Sequence, residues 1–143
     1  MNTSLSGTGL QQGIQTLSAR LLEIEQDFAR RFKPPLVPQE VAVLRCLDQA
    51  GQLKMSAIGD ELSIPLSTST YLIDKLEKRC LVTRVRSAED RRAVHVELTS
   101  KGRQAATRIR NAQVALCEEL LASFGATERV VLRRLLDQLM EVN

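Results

Sequence analysis

The hydrophobic period changes twice along this chain, and that change restricts the fold more than any single motif. Up to about residue 80 the apolar residues recur every three or four positions. Between 81 and 98 they alternate, with Val94, Val96 and Leu98 on one side of a strand and His95 and Glu97 on the other. Beyond about residue 103 the wider spacing returns. A spacing near 3.6 is the stripe of an amphipathic helix, and a spacing of two is a half-buried strand. The charged run Ser87 to Arg92 separates Leu81–Arg86 from Ala93–Leu98, so the alternating part reads as one hairpin set into a helical chain. The expected class is mainly α, of the α+β type.

The helices follow from the same spacing. Residues 1 to 9 are small and polar and read as a loose tail. Leu10, Ile14, Leu17, Leu21, Ile24 and Phe28 form a stripe that predicts a first helix running to about Phe32. Pro34 and Pro35 end it. Pro38 opens a second helix, which carries Val41, Val43, Leu44 and Leu47 and is closed by Gly51. A third covers about Ser56 to Leu62. Ser63, Ile64 and Pro65 form a turn, with Pro65 expected in the first turn of a fourth helix that reaches about Arg79. Its Leu72, Ile73 and Leu76 face inward. After the hairpin, Thr99, Ser100 and Gly102 read as an exit turn. A fifth helix is expected from about Arg103 to Phe124, and Gly125 breaks it. Thr127 is the expected N-cap of a last helix, which is apolar nearly all round from Val130 to Met140.

Composition narrows the function. A chain of 143 residues, 43% apolar and 26% charged, suits one globular domain, 1–143. No stretch approaches the length of an uncharged membrane span, and the first residues lack the blocks of a signal peptide, so the cytoplasm is the expected compartment and no membrane partner is expected. Cys46, Cys80 and Cys117 lie far apart and form no CxxC pair. With one histidine, no ligand cluster and no phosphate loop, neither a metal, a cofactor nor catalysis is expected. Charge is concentrated. Residues 65 to 103 hold nine Lys or Arg against five acids, a balance of +4, while the rest holds eleven against twelve. A polyanion would feel that 39-residue stretch first.

Third helix, turn and fourth helix form a helix-turn-helix, and a basic hairpin follows at once as a wing. The second helix of such a unit can lie in the major groove of duplex DNA with its first residues at the base edges. Here those are Leu66, Ser67, Thr68, Ser69, Thr70 and Tyr71, with Lys75, Lys78 and Arg79 further along toward phosphates. The tip of the wing carries Arg91 and Arg92, suited to a narrow minor groove. Asp90 would brace one of them.

The segment PLSTSTYLIDKLEKRCLVTRVRSAEDRRAVHVELTSKG resembles the core of MarR-type regulators in its Ser-Thr helix start, its LIDKLE run and its EDRRAVHVELTSKG wing. The resemblance is strong over residues 53 to 103. It implies a winged helix-turn-helix lobe over 36–102, with 10–33 and 103–143 as dimerisation helices that interdigitate with those of a second copy. It also implies major-groove contacts from Ser67, Thr68, Thr70 and Tyr71, minor-groove contacts from Arg91 and Arg92, and an acid at Asp74 paired with Arg84. Four positions depart from the pattern: Tyr71 for a common Arg, Ser69 for a usually buried Val, Cys80 for Gly, and Lys54 for a Thr cap.

The expected function is therefore a sequence-specific, homodimeric regulator on double-stranded DNA, a repressor released by a small-molecule or redox signal. The alternative is a winged-helix adaptor that binds protein and has lost DNA. Dimerisation has separate support, because the first, fifth and sixth helices carry more apolar surface than one small domain needs. By the resemblance, an effector would sit against Phe28, Arg31, Phe32, Leu44 and Leu47. Cys80, beside Lys78, Arg79 and Arg84, is the candidate redox thiol.

Overall fold

The computed structural model describes residues 6–86 and 93–141, and the chain divides into two compact units, Met1–Arg110 and Asn111–Asn143. The first unit begins with helix α1 (Gly7–Ala29), whose N-terminus is capped by Ser6 Oγ accepting from the Gly9 N–H at 3.1 Å. The helix stops three residues before the expected Phe32. Pro34 and Pro35 have no N–H to continue the ladder, and the Leu36 N–H returns to the Ala29 carbonyl at 3.1 Å.

Helix α2 (Pro38–Ala50) has proline at its first position and Gly51 at its end with φ 76°. Strand β1 (Gln52–Lys54), helix α3 (Met55–Leu62) and helix α4 (Leu66–Lys78) follow. Ser63 turns the chain between α3 and α4 with φ 52°. Pro65 was expected inside the first turn of α4 but stands just before it, with extended backbone (φ −59°, ψ 150°). Its carbonyl, rather than its ring, serves the helix, accepting from the Ser69 N–H at 3.0 Å.

Strands β2 (Val82–Arg86) and β3 (Val94–Leu98) form the hairpin, with Val82 opposite Leu98 and Arg86 opposite Val94. The sheet order is β1-β3-β2, so β3 is central. Pairing of Leu53 with Val96 adds a third strand that the sequence reading lacked. Val96 and Leu98 are buried and Val94 is half-buried, while the alternate His95 and Glu97 stay partly exposed.

Helix α5 (Ser100–Leu121) starts earlier than expected. Thr99, Ser100 and Gly102 are not a free turn. Thr99 Oγ1 accepts from the Gly102 N–H at 3.0 Å and so caps the helix, while its own hydroxyl donates to the Cys80 carbonyl at 2.6 Å. Gly102 is required by clearance: a Cβ there would lie 1.8 Å from the Leu81 carbonyl oxygen.

The core of the first unit draws on every layer. Val43, Leu44 and Leu47 of α2, Ile58 of α3, Ile73 and Leu76 of α4, Leu81 and Val96 are wholly inaccessible, and Ala105, Ala106 and Ile109 of α5 join them. Each of these Val, Leu and Ile side chains contributes about 1.5–3 kcal/mol by leaving water. Gly59 lets α3 approach α4 closely, since a Cβ there would meet Ser69 Oγ at 3.1 Å.

The second unit holds the end of α5 and helix α6 (Ala126–Met140). The expected cap Thr127 lies within the helix. Gly125 takes the cap position, and the Glu128 carboxylate accepts its N–H at 2.8 Å. No residue of α6 is buried.

Candidate nucleic-acid interface

Amphipathic spacing fixes what α4 shows to solvent. Leu72, Ile73 and Leu76 face the core, so the opposite side carries Ser67, Thr70 and Tyr71, all exposed, with Thr68 half-buried. Tyr71 is 60% exposed. Ser69 is the exception among the four adjacent hydroxyl residues. It is wholly buried, and its Oγ donates to the Pro65 carbonyl at 3.2 Å, so it presents nothing outward. Thr70 Oγ1 donates to the Leu66 carbonyl at 2.9 Å, which leaves its oxygen free to accept.

The sheet aims a cation at this helix. On β2, Val82, Arg84 and Arg86 share one face, which is buried at Val82 and opens to solvent at Arg86. Arg84 points at α4, where it donates to Asp74 Oδ1 at 2.6 Å and to Glu77 Oε2. The Arg84 N–H also donates to Glu77 Oε1 at 3.3 Å. Burial works against this guanidinium, yet the hydrogen bond to Asp74 and the charges of Glu77 and Asp74 outweigh it and raise its pKa. Glu77 is the member that sequence reasoning missed; its position one turn after Asp74 was the available signal. Asp90, Arg91 and Arg92, the other expected wing residues, lie outside the described residues.

A groove of about 470 Å³ opens beside this arrangement, lined by Lys54, Met55 and Ser56 at the start of α3, Leu66 and Thr70 of α4, and Arg84, Ala93 and Val94 at the base of the hairpin.

Arg79, expected to reach phosphates, turns the other way. Its guanidinium donates to the Pro34 carbonyl at 2.7 Å and lies 4.0 Å from Glu40. Glu40 is a wholly buried carboxylate that the sequence reading did not single out. Its Oε2 accepts from the Val37 N–H at 2.8 Å at the start of α2. Its Oε1 has no hydrogen-bond partner, and Lys75 Nζ stands 3.9 Å from it. Lys75 also lies over the Tyr71 ring, 5.1 Å from the centroid.

Three of the five expected effector residues come together. Phe28 and Phe32 meet edge to face with centroids 5.2 Å apart. With Arg31, Leu81, Lys101, Gln104, Ala105 and Arg108 they line a cavity of about 280 Å³. Leu44 and Leu47 are not among its walls; both are wholly buried among α3, α4 and sheet residues in the core. Their helical spacing marked them as apolar but could not say which apolar space they fill.

Cys80 is exposed and has φ 58°, the left-handed conformation that favours glycine. Two of the three cations its sequence neighbours offered are committed elsewhere, Arg79 to Pro34 and Arg84 to two acids. Cys46 is half-buried, and burial followed by the charge of Glu61 pushes its thiol pKa up, away from a reactive thiolate. Cys117 is exposed. Among the described residues no cluster of His, Cys, Asp or Glu could hold a metal ion, and no helix is long and apolar enough to cross a membrane.

Helix-turn-helix, three-stranded sheet and a hairpin braced onto the second helix define a winged-helix protein. Residues 36–94 match the MarR family model, so the chain is similar to that family across its winged-helix lobe. The regulator MhqR of Bacillus subtilis is 39% identical over 70 residues, covering 49% of this chain and 48% of that protein. The chain spans about half the length of the curated relatives it matches. Among solved structures, a MarR family protein from Bacillus stearothermophilus has a TM-score of 0.80 at 25% identity, covering 94% of this chain and 92% of that one. Streptococcus pneumoniae FabT, solved in complex with DNA, has a TM-score of 0.80 at 27% identity, covering 95% and 96%.

Proposed function

We propose that this protein is a sequence-specific double-stranded-DNA-binding transcriptional regulator that works as a homodimer in the cytoplasm. The observation that carries the reading is the outward face of α4: Ser67, Thr70 and exposed Tyr71 on a helix held rigidly to the hairpin by Arg84. Small hydroxyl groups and one phenol can approach base edges and phosphates closely, and a helix fixed to its wing docks as one body. Thr68 joins them at the helix start. Arg91 and Arg92 enter the minor groove, with Asp90 orienting one of them. The FabT structure supports this reading, since a chain of the same fold was solved on DNA.

The second copy is needed to cover apolar surface. Leu10, Ile14 and Leu17 of α1 and Val130, Leu135, Leu136 and Leu139 of α6 are all exposed in the single chain. A two-fold pair would set two α4 helices about 34 Å apart, one turn of duplex. Repression is released when a small molecule with an apolar body and an anionic group enters the Phe28 and Phe32 cavity, whose charged walls, Arg31, Lys101 and Arg108, are all cationic.

A fluorescence anisotropy titration with duplex DNA tests the reading. Binding should weaken steeply with salt as counterions are released. Arg92→Ala should weaken it by about 1–3 kcal/mol with the dimer intact. Binding indifferent to salt would favour a protein-binding adaptor, and unchanged affinity in Arg92→Ala would remove the wing from the interface.

A further inference from the structure

We propose that Glu40 is a positioning residue for DNA recognition: it holds Lys75 inward, beneath Tyr71, and so withholds that cation from the phosphates and fixes the phenol that reads the groove. The inference deepens the DNA-binding reading and rests on it.

The argument starts from the cost of a buried charge. A carboxylate removed from water is expensive unless cations and donors meet its oxygens. Glu40 is wholly buried, and only one of its oxygens has a hydrogen bond, from the Val37 N–H. Two cations stand near it. Arg79 stands 4.0 Å from the oxygen that already accepts from Val37, which leaves Lys75, 3.9 Å from the unsatisfied oxygen, as the cation placed to close the remaining gap. A small rotation of the lysine stem completes that contact. Swinging the ammonium out to a phosphate would instead strand the carboxylate.

The second half of the argument is the ring. Lys75 lies one helical turn after Tyr71 and 5.1 Å from its centroid. A cation held against a ring face restricts the ring to the orientation that keeps the contact. The side chains thus form a chain of three, from buried acid through half-exposed ammonium to exposed phenol. Glu40 lies on α2 and has no surface of its own, so it acts on DNA only through the other two.

This assigns Lys75 a role opposite to the phosphate contact that its place in the sequence suggests, and the two roles differ in sign. Glu40→Gln removes the charge but leaves an amide oxygen to accept the Val37 N–H. If Glu40 holds Lys75, the freed lysine becomes a new phosphate contact. Affinity of Glu40→Gln for a random duplex should then rise several-fold at low salt, and the slope of log affinity against log salt should steepen by about 0.9, one phosphate. Lys75→Met alone should leave the salt slope at the wild-type value, because a lysine held on Glu40 makes no phosphate contact. The double variant should lose the gain. A merely destabilising change would weaken binding and could not produce this pattern.

Tyr71 supplies a second readout without DNA, because it is the single tyrosine and there is no tryptophan. Its fluorescence should change in Glu40→Gln and in Lys75→Met, and the double variant should match Lys75→Met. The proposal is overturned if Lys75→Met alone flattens the salt slope by one phosphate, or if Glu40→Gln folds normally and leaves slope and tyrosine emission unmoved. Should Glu40→Gln fail to fold, the Lys75→Met slope and emission still decide. A wild-type protein with no salt-dependent binding overturns the DNA reading itself, an outcome separate from these.

Discussion

Helices α4 and α6 are of similar length and both carry a run of large apolar residues, yet the single chain treats them oppositely. Of the 13 residues of α4, Ser69, Leu72, Ile73 and Leu76 are buried. Of the 15 residues of α6, none is, although Val130, Leu139 and Met140 are as apolar as any in the core and are 70%, 66% and 73% exposed. One helix is finished by its own chain, and the other is not. A sequence stripe therefore reports that a surface must be covered but is silent on whose atoms cover it.

That difference can be broken or sharpened by experiment. The largest effect belongs to α6. Changing Leu135 and Leu139 together to Glu should halve the mass seen by light scattering while leaving the helical circular dichroism signal close to wild type. An unchanged mass would remove those residues from the dimer interface. The next effect belongs to α4. Leu76→Ala should cost about 2–5 kcal/mol of stability, read from the shift of a denaturant midpoint, because Leu76 is wholly enclosed. The mass should remain that of the wild type, so the two helices separate cleanly into one that holds the lobe and one that holds the pair. The smallest effect lies just past α4. Cys80→Gly should raise stability by roughly 1 kcal/mol by relieving the left-handed backbone at φ 58°. A lowered melting temperature would mean that the cysteine side chain supports the turn.

Much of the fold was legible because its signals are local. The switch of period marked the hairpin, and Pro38 and Gly51 bracketed α2 as their backbone chemistry requires. What escaped was either too short or too distant. Strand β1 is three residues around a single Leu53, below the length at which alternation can be recognised. Gly125 displaced Thr127 as cap because the Glu128 side chain, not the cap residue, supplies the acceptor. Thr99 read as a turn because its two hydrogen bonds include one to Cys80, 19 residues back.

The interface divides in the same way. Ser67, Thr70 and Tyr71 could be placed on the outer face of α4 from spacing alone, since Leu72, Ile73 and Leu76 define the inner one. Arg84 with Asp74 came from a resemblance, and Glu77 from neither. Glu40 could not be found by any local rule. An acid at the third position of a helix reads as a first-turn acid facing water, and only the packing of α2 against α4 puts Lys75 and Arg79 on its far side.

The capped first turn of α5 has a mechanical consequence. Gly102 lies against the Leu81 carbonyl with no room for a methyl group, Thr99 ties the same turn to Cys80, and Lys101 Nζ donates to the Arg79 carbonyl at 3.1 Å. Three consecutive backbone carbonyls leaving the end of α4 are thus gripped by one turn of another helix. Such a knuckle joins the two helices directly, so a shift of the first turn of α5 would bear on the end of α4 without an intervening loop.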